Sequence, residues 1–250
     1  MPSARDSRTG DRDPRAWYTN DVTDPAPVLP PLGRSTTRSD LVAVSIKSAI
    51  LSGRLQPDEV LVERRLAEQL GVSKTPVREA LIALTSSGLL TPTRNRGIAV
   101  RRLRAEDVQR VYEMRMLVEP WAAAQVAGGG RFEAADARQA LEDAARCLEA
   151  DDHGGLSMAN RRFHRCLYST CSNDLVVHAL DDLQDLTALG TVSLLWEQWP
   201  TWRDEAQEHH EILAAVQDGD ADGTEEMVRN HIQRSITRLA RLRAQAATAS

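Results

Sequence analysis

Residues 61–89 read LVERRLAEQLGVSKTPVREALIALTSSGL, and this stretch decides the fold of the N-terminal half. Leu61, Leu66, Ala67 and Leu70 recur at three- and four-residue spacing, which predicts a short helix with one apolar stripe. Gly71 suits the left-handed position that ends such a helix, where a Cβ is penalised. Ser73 or Thr75 then caps a second helix, and Pro76 is tolerated in its first turn because that N–H has no helical partner. Val77, Ala80, Leu81 and Leu84 turn inward, leaving Lys74, Thr75 and Arg78 outside at the N-terminal end. A tight turn followed by a helix that leads with polar and basic residues is the layout that seats a recognition helix in the DNA major groove. The competing reading is an ordinary helical hairpin with no ligand. Turn chemistry and the basic face agree on the first.

Outward from this stretch, Gly88-Leu89-Leu90 ends the second helix. TPTRNRGIAV, residues 91–100, gives two β-prone runs around Asn95-Arg96-Gly97. That is a small hairpin with Arg94 and Arg96 near its tip, placed to reach phosphates or the minor groove. Upstream, Arg38 to Leu51 has the spacing of an amphipathic helix, followed by a turn over Gly53 to Pro57.

These residues closely resemble the winged helix-turn-helix domain of the GntR family of bacterial transcription regulators. The match runs Glu63-x-x-Leu66-Ala67-x-x-Leu70-Gly71-Val72-Ser73-Lys74-Thr75-Pro76-Val77-Arg78-Glu79-Ala80-Leu81, then Leu84, Gly88-Leu89 and Gly97. The resemblance implies DNA contacts from Arg64, Ser73, Lys74, Thr75 and Arg78, and from Arg96 and Gly97 on the wing. The family usually has Arg where this chain has Lys74. Lysine keeps the charge but loses the two-pronged geometry that matches guanine, so the operator sequence need not follow the family's pattern.

The charge distribution bears on the same point. The chain has 250 residues and a formal net charge of −5, enough length for two domains. Residues 36–103 carry 11 basic and 6 acidic side chains, whereas residues 104–250 carry 15 basic and 25 acidic. The basic charge is thus concentrated in the DNA-binding segment, residues 36–103. Residues 1–35, rich in Arg, Asp, Ser and Pro, hold too little apolar surface to offset ordering and are expected to be a flexible tail. Cys147, Cys166 and Cys171 lack zinc-finger spacing and suit packing as small apolar groups in a reducing cytosol. No apolar run is long enough to span a bilayer and no secretory segment opens the chain, so a cytoplasmic protein is expected.

After Val100 the pattern is helical throughout. Helices are expected over residues 106–126, 134–149, 156–170, 174–199, 202–217 and 221–244, giving a mostly α protein whose residues 104–245 form an all-α antiparallel bundle. Trp196, Trp199, Pro200 and Trp202 read as an aromatic joint between two of these helices. Asn160 and His164 share one helix face, His209 lies on a later helix and His231 on the last. Neutral imidazoles on facing helices with one oxygen ligand suit a divalent transition metal such as zinc or nickel. By spacing alone they read more often as hydrogen-bonded core histidines than as a metal site.

Residues 105–240 resemble the FCD domain, the effector domain of the FadR subfamily of GntR regulators. The matching pieces are Arg115-x-x-x-Glu119-Pro120, Asn160-x-x-Phe163-His164-x-x-Leu167, Glu208-His209-x-x-Ile212-Leu213-x-Ala215-x-x-x-Gly219-Asp220, and Met227-x-x-x-His231. The resemblance implies a metal at Asn160, His164, His209 and His231. The family often has Asp where Asn160 stands. The neutral amide leaves the ion its full charge, which favours an anionic ligand. Arg115 resembles the family's pocket arginine for an effector carboxylate; its other reading is an ion pair with Glu119 at i+4.

The expected function is therefore not catalytic. It is a homodimeric repressor on a palindromic double-stranded DNA operator, answering to a small carboxylate such as an organic or sugar acid. Either domain could supply the dimer contact. A metal-sensing repressor without an organic effector, or a metal that only ties helices together, uses the same histidines. A metallohydrolase also fits three histidines, but no carboxylate stands out as its base and it leaves the winged helix without a purpose.

Overall fold

The computed structural model describes residues 37–94, 97–130, 132–195 and 202–248. The chain starts its first helix, α1 (Arg38–Leu51), with a reciprocal cap. The Thr37 hydroxyl accepts from the Asp40 N–H at 3.1 Å and the Asp40 carboxylate accepts from the Thr37 N–H at 2.8 Å. Val42, Ile46, Ile50 and Leu51 form its buried side. The decisive stretch folds as α2 (Glu63–Leu70), a turn at Gly71, and α3 (Lys74–Ser86). Gly71 has φ 64°, the left-handed conformation expected of it, and its N–H bonds back to Ala67. Val77, Ala80, Leu81 and Leu84 are buried against α1.

Three short strands complete this half. β1 (Val60–Leu61), β2 (Leu90–Thr93) and β3 (Gly97–Val100) form an antiparallel sheet with β3 in the centre, Val60 opposite Ala99 and Leu90 opposite Val100. The wing hairpin expected from residues 91–100 is this β2–β3 pair. β1 is an addition: Leu61, which the periodicity assigns to the helix, belongs to the strand. Two residues are too few to show an alternating pattern, and Val60-Leu61 extends only because β3 offers it an unpaired edge. Arg96, expected near the hairpin tip, lies outside the described residues, as does the tail expected at residues 1–35.

Six helices follow: α4 (Ala105–Gly128), α5 (Ala134–Glu149), α6 (His153–Tyr168), α7 (Asp174–Gly190), α8 (Trp202–Gln217) and α9 (Ala221–Thr248). There is no strand after Val100 among the described residues. α4 is central, packing on α6, α7, α8 and α9, while α5 lies across α6 and α8. The helix expected over 174–199 instead stops at Gly190 and continues as a π turn, Thr191–Leu195. Gly190 sits where α7 meets α4; a Cβ there would lie 2.8 Å from a Val108 methyl. Trp196, Trp199 and Pro200 of the expected aromatic joint fall outside the described residues, and Trp202 is the first residue of α8.

One apolar core joins the two halves. It runs from Val42, Val77 and Leu81 through Leu103 and Val108 to Phe163, Leu189 and Ile232. Polar contacts reinforce the joint. Lys47 of α1 pairs with Asp185 of α7, and Asp185 also takes Arg161 of α6. At the start of α6, a Cβ on Gly154 would meet the Ser52 carbonyl at 2.5 Å, so glycine is what lets α6 abut the end of α1. No helix among the described residues is long and apolar enough to cross a membrane.

Candidate functional site

The bundle brings together three of the four residues singled out as metal ligands. His164 on α6, His209 on α8 and His231 on α9 are all buried, and each offers a ligand nitrogen such that the three lie within 4.8 Å of one another. His209 Nε2 and His231 Nε2 are 3.3 Å apart. Two nitrogens bound at ~2.1 Å to one ion in tetrahedral geometry are separated by roughly 3.4 Å, so this spacing suits a shared ion without rearrangement.

The other nitrogens of two imidazoles are already engaged. His164 Nδ1 lies 2.7 Å from Glu119 Oε1, and His231 Nδ1 lies 2.7 Å from Glu208 Oε2. Each Nδ1–H donating to its carboxylate leaves the Nε2 lone pair for a cation, and the carboxylate orients the ring. Burial pushes His164 down to about 4, although Glu119 pulls the other way. Burial, together with His231 and His164 nearby, lowers His209 well below its ordinary value. Both rings are therefore neutral at physiological pH, the form a metal requires. The donor set, its protonation and its spacing fit a divalent transition metal.

Sequence assigned no role at the histidines to Glu119 or Glu208. Their signal was present: Glu208 precedes His209, and Glu119 lies one helical turn after Arg115. What the linear order hides is that each carboxylate serves a histidine on a different helix. Burial alone would raise Glu119, yet Arg115 and His164 hold it well below the usual carboxylate range. Arg115 is itself buried. Its Nε donates to Glu119 Oε2 at 2.7 Å, its Nη1 to Thr187 at 3.3 Å, and its Nη2 lies 3.4 Å from His164 Nδ1. The ion pair with Glu119 exists, in the interior rather than on the surface. Gln184 adds a further bond to Glu119 at 3.1 Å.

Asn160, one turn before His164 on α6, is half-buried and lines a cavity of about 320 Å³ between α5, α6 and α8. His209 and His210 line it too. Arg115, His164 and His231 are not among its lining residues.

At the other end of the molecule, Lys74, Thr75 and Arg78 are exposed on the first turns of α3. Ser73 is the N-cap residue, but its hydroxyl makes no capping bond. Arg78 is gripped by Glu63 of α2 through two parallel bonds, Nε to Oε1 at 3.1 Å and Nη2 to Oε2 at 2.9 Å. Arg64 is exposed and pairs with Glu68 one turn on. Gly97 opens β3 with φ 92° and is exposed.

Comparison with known proteins bears on both ends. Residues 38–100 match the family described as "Bacterial regulatory proteins, gntR family", and residues 110–234 match the FCD domain. The Nta operon transcriptional regulator of Aminobacter aminovorans is 31% identical over 192 residues, covering 74% of this chain and 86% of that protein. A Paenarthrobacter nicotinovorans protein named "Probable D-xylose utilization operon transcriptional repressor" is 28% identical over 197 residues, covering 79% and 86% respectively. The solved structure of E. coli McbR/YncC has the same fold, with TM-score 0.71 at 23% identity over 83% of this chain and 99% of that one.

Proposed function

We infer the function from one premise: the chain belongs to the gntR family of bacterial regulatory proteins and is a DNA-binding transcription regulator with an FCD effector domain. Its relatives are regulators of transcription, not enzymes. On that premise we propose a cytoplasmic repressor of the FadR subfamily that binds a palindromic operator as a homodimer and answers to a small carboxylate. The working division is a tail at residues 1–35, a winged helix-turn-helix at 36–103 and an effector domain at 104–245.

The observation that carries the effector half is the buried cluster of His164, His209 and His231 beside a ligand-sized cavity. Asn160 and the three histidines would hold zinc or nickel, which when bound supplies a Lewis-acidic site for a carboxylate. The protein's part is to orient His164 and His231 through Glu119 and Glu208 and to keep the cluster out of water in the surrounding core. Arg115 fixes Glu119 and balances its charge behind His164.

On the DNA side, Lys74, Thr75 and Arg78 lead α3 into the major groove, with Ser73 and Arg64 beside them and Arg96 and Gly97 reaching from the wing. Exposed apolar side chains on α4, Met114, Leu117 and Trp121, support a dimer made through the effector domain. Acid binding changes how α6 bears on α1 and so the spacing of two recognition helices; a coupling of about 1–3 kcal/mol suffices.

The test is fluorescence anisotropy on an operator selected from a random-sequence pool, with metal content measured in parallel. Arg78→Ala should weaken operator binding at every acid concentration; unchanged affinity removes α3 as the reading element. In the intact protein, acid should lower operator affinity, and chelation should abolish that response. DNA affinity that follows metal alone, with no acid effect, makes the protein a metal sensor instead.

A further inference from the structure

We propose that the effector is a monocarboxylate with a compact apolar body, lodged between α5, α6 and α8 with its carboxylate toward Asn160 and His209. The proposal rests on the metal-and-carboxylate reading above and narrows it to one chemical class.

The cavity wall makes the selection. α5 presents Leu141, Ala144, Ala145 and Leu148, spaced i, i+3, i+4 and i+7, so one whole face of that helix meets the cavity with hydrocarbon. Leu156 from α6 and Ala206 from α8 extend the same surface. At about 320 Å³ the cavity falls at the small end of the range for small-molecule sites, ~300–1,000 Å³. Such a wall rewards a ligand that displaces water with an aliphatic or aromatic body.

Five of the eleven lining residues are polar, and two of those already have partners. His210 Nδ1 lies 2.7 Å from the Ala206 carbonyl, and Glu205 is held by Arg238 at 2.8 Å. A polyhydroxylated acid would bury several hydroxyls with few partners, each unpaired one lowering affinity by roughly tenfold or more. A second carboxylate fares no better. The lining itself holds no Lys or Arg, and although Arg238 balances Glu205 from outside it, a second carboxylate meets the charge of Glu149 without a cation in the wall. One end differs: Asn160 and His209 belong both to the lining and to the proposed metal set, and they give a single carboxylate its address. Arg115, tied to Glu119 away from the lining, acts on that carboxylate only through its field.

Isothermal titration of the full-length, zinc-loaded protein with sodium hexanoate, benzoate, gluconate and adipate separates the classes, with melting temperature as a second readout. Hexanoate or benzoate should bind at least roughly tenfold more tightly than gluconate and adipate. Ala145→Glu, at an exposed wall position outside the metal set, should retain zinc yet weaken hexanoate by roughly tenfold or more. Gluconate or adipate binding as tightly as the apolar acids overturns the proposed ligand class while leaving a carboxylate-responsive regulator intact. Hexanoate binding untouched by Ala145→Glu puts the ligand elsewhere and overturns the site. If none of the four acids binds the zinc-loaded protein, the small-carboxylate reading itself fails along with this one.

Discussion

Lys47 of α1 and Asp185 of α7 form an ion pair of 2.5 Å across the joint between the DNA-binding helices and the bundle. Asp185 is fully buried and is held from its other side by Arg161 of α6, the residue next to Asn160 and one turn before His164. A shift of α6 at the proposed metal therefore reaches α1 through one shared carboxylate, and α1 packs on α3. Lys47→Met keeps the aliphatic stem and removes the link. It should leave operator affinity without effector within roughly threefold while cutting the effector response at least by half. Anisotropy titrations with and without acid measure both; a full response in the variant excludes this route.

In metal-free protein the buried histidines make stability depend on pH. His164 is lowered to about 4 and His209 is also lowered well below its ordinary value, so the unfolded chain binds more protons as pH falls below about 6.5. Stability is then complete above that value and declines toward pH 4, His164 alone accounting for roughly 2 kcal/mol at pH 5. Melting temperatures between pH 7.5 and 5 should fall, and His164→Gln should flatten the fall. A melting temperature independent of pH contradicts the assignment.

Glu208 orients His231 but is not itself a proposed ligand. Glu208→Gln keeps the shape and loses the charged acceptor, so metal affinity should drop by roughly 10- to 100-fold. Competition against a chromophoric chelator reads this directly. Unaltered affinity would mean that the ion, if bound, does not use His231.

Leu117 is 75% exposed on α4, between Met114 and Trp121 at helical spacing. Leu117→Glu should shift the protein from dimer to monomer in analytical ultracentrifugation and weaken operator binding by roughly 100-fold, because two half-sites would no longer be bound as one unit. A variant that remains dimeric moves the contact to another surface.

Much of this was legible in the chain, and the exceptions have physical reasons. α1, α5 and α8 run over the residues their apolar spacing indicates, and α1 also carries its own capping box. β1 was not legible, since two residues extend only when a partner edge is present. The π turn after Gly190 was not either; a helical apolar pattern does not distinguish i→i+4 from i→i+5 bonding over one turn. The convergence of His164, His209 and His231 follows from which helices face one another, and spacing along one helix says nothing of that. Glu119 illustrates the limit best. At i+4 from Arg115 it reads as a surface pair, and only the packing of α6 on α4 makes it a buried acceptor for His164 as well.

The clasp between Glu63 and Arg78 has its own consequence. In the free protein the guanidinium already meets two acceptor oxygens in its own plane, the same arrangement that a guanine edge presents through O6 and N7. Engaging DNA through Arg78, as proposed, would therefore substitute one paired acceptor for another. A correct base repays the broken clasp in kind, whereas a sequence offering a single acceptor, or none, leaves the arginine better served by its own carboxylate. On the proposed reading of α3, Glu63 would act as an internal competitor, setting the threshold that a stretch of DNA must exceed before Arg78 lets go.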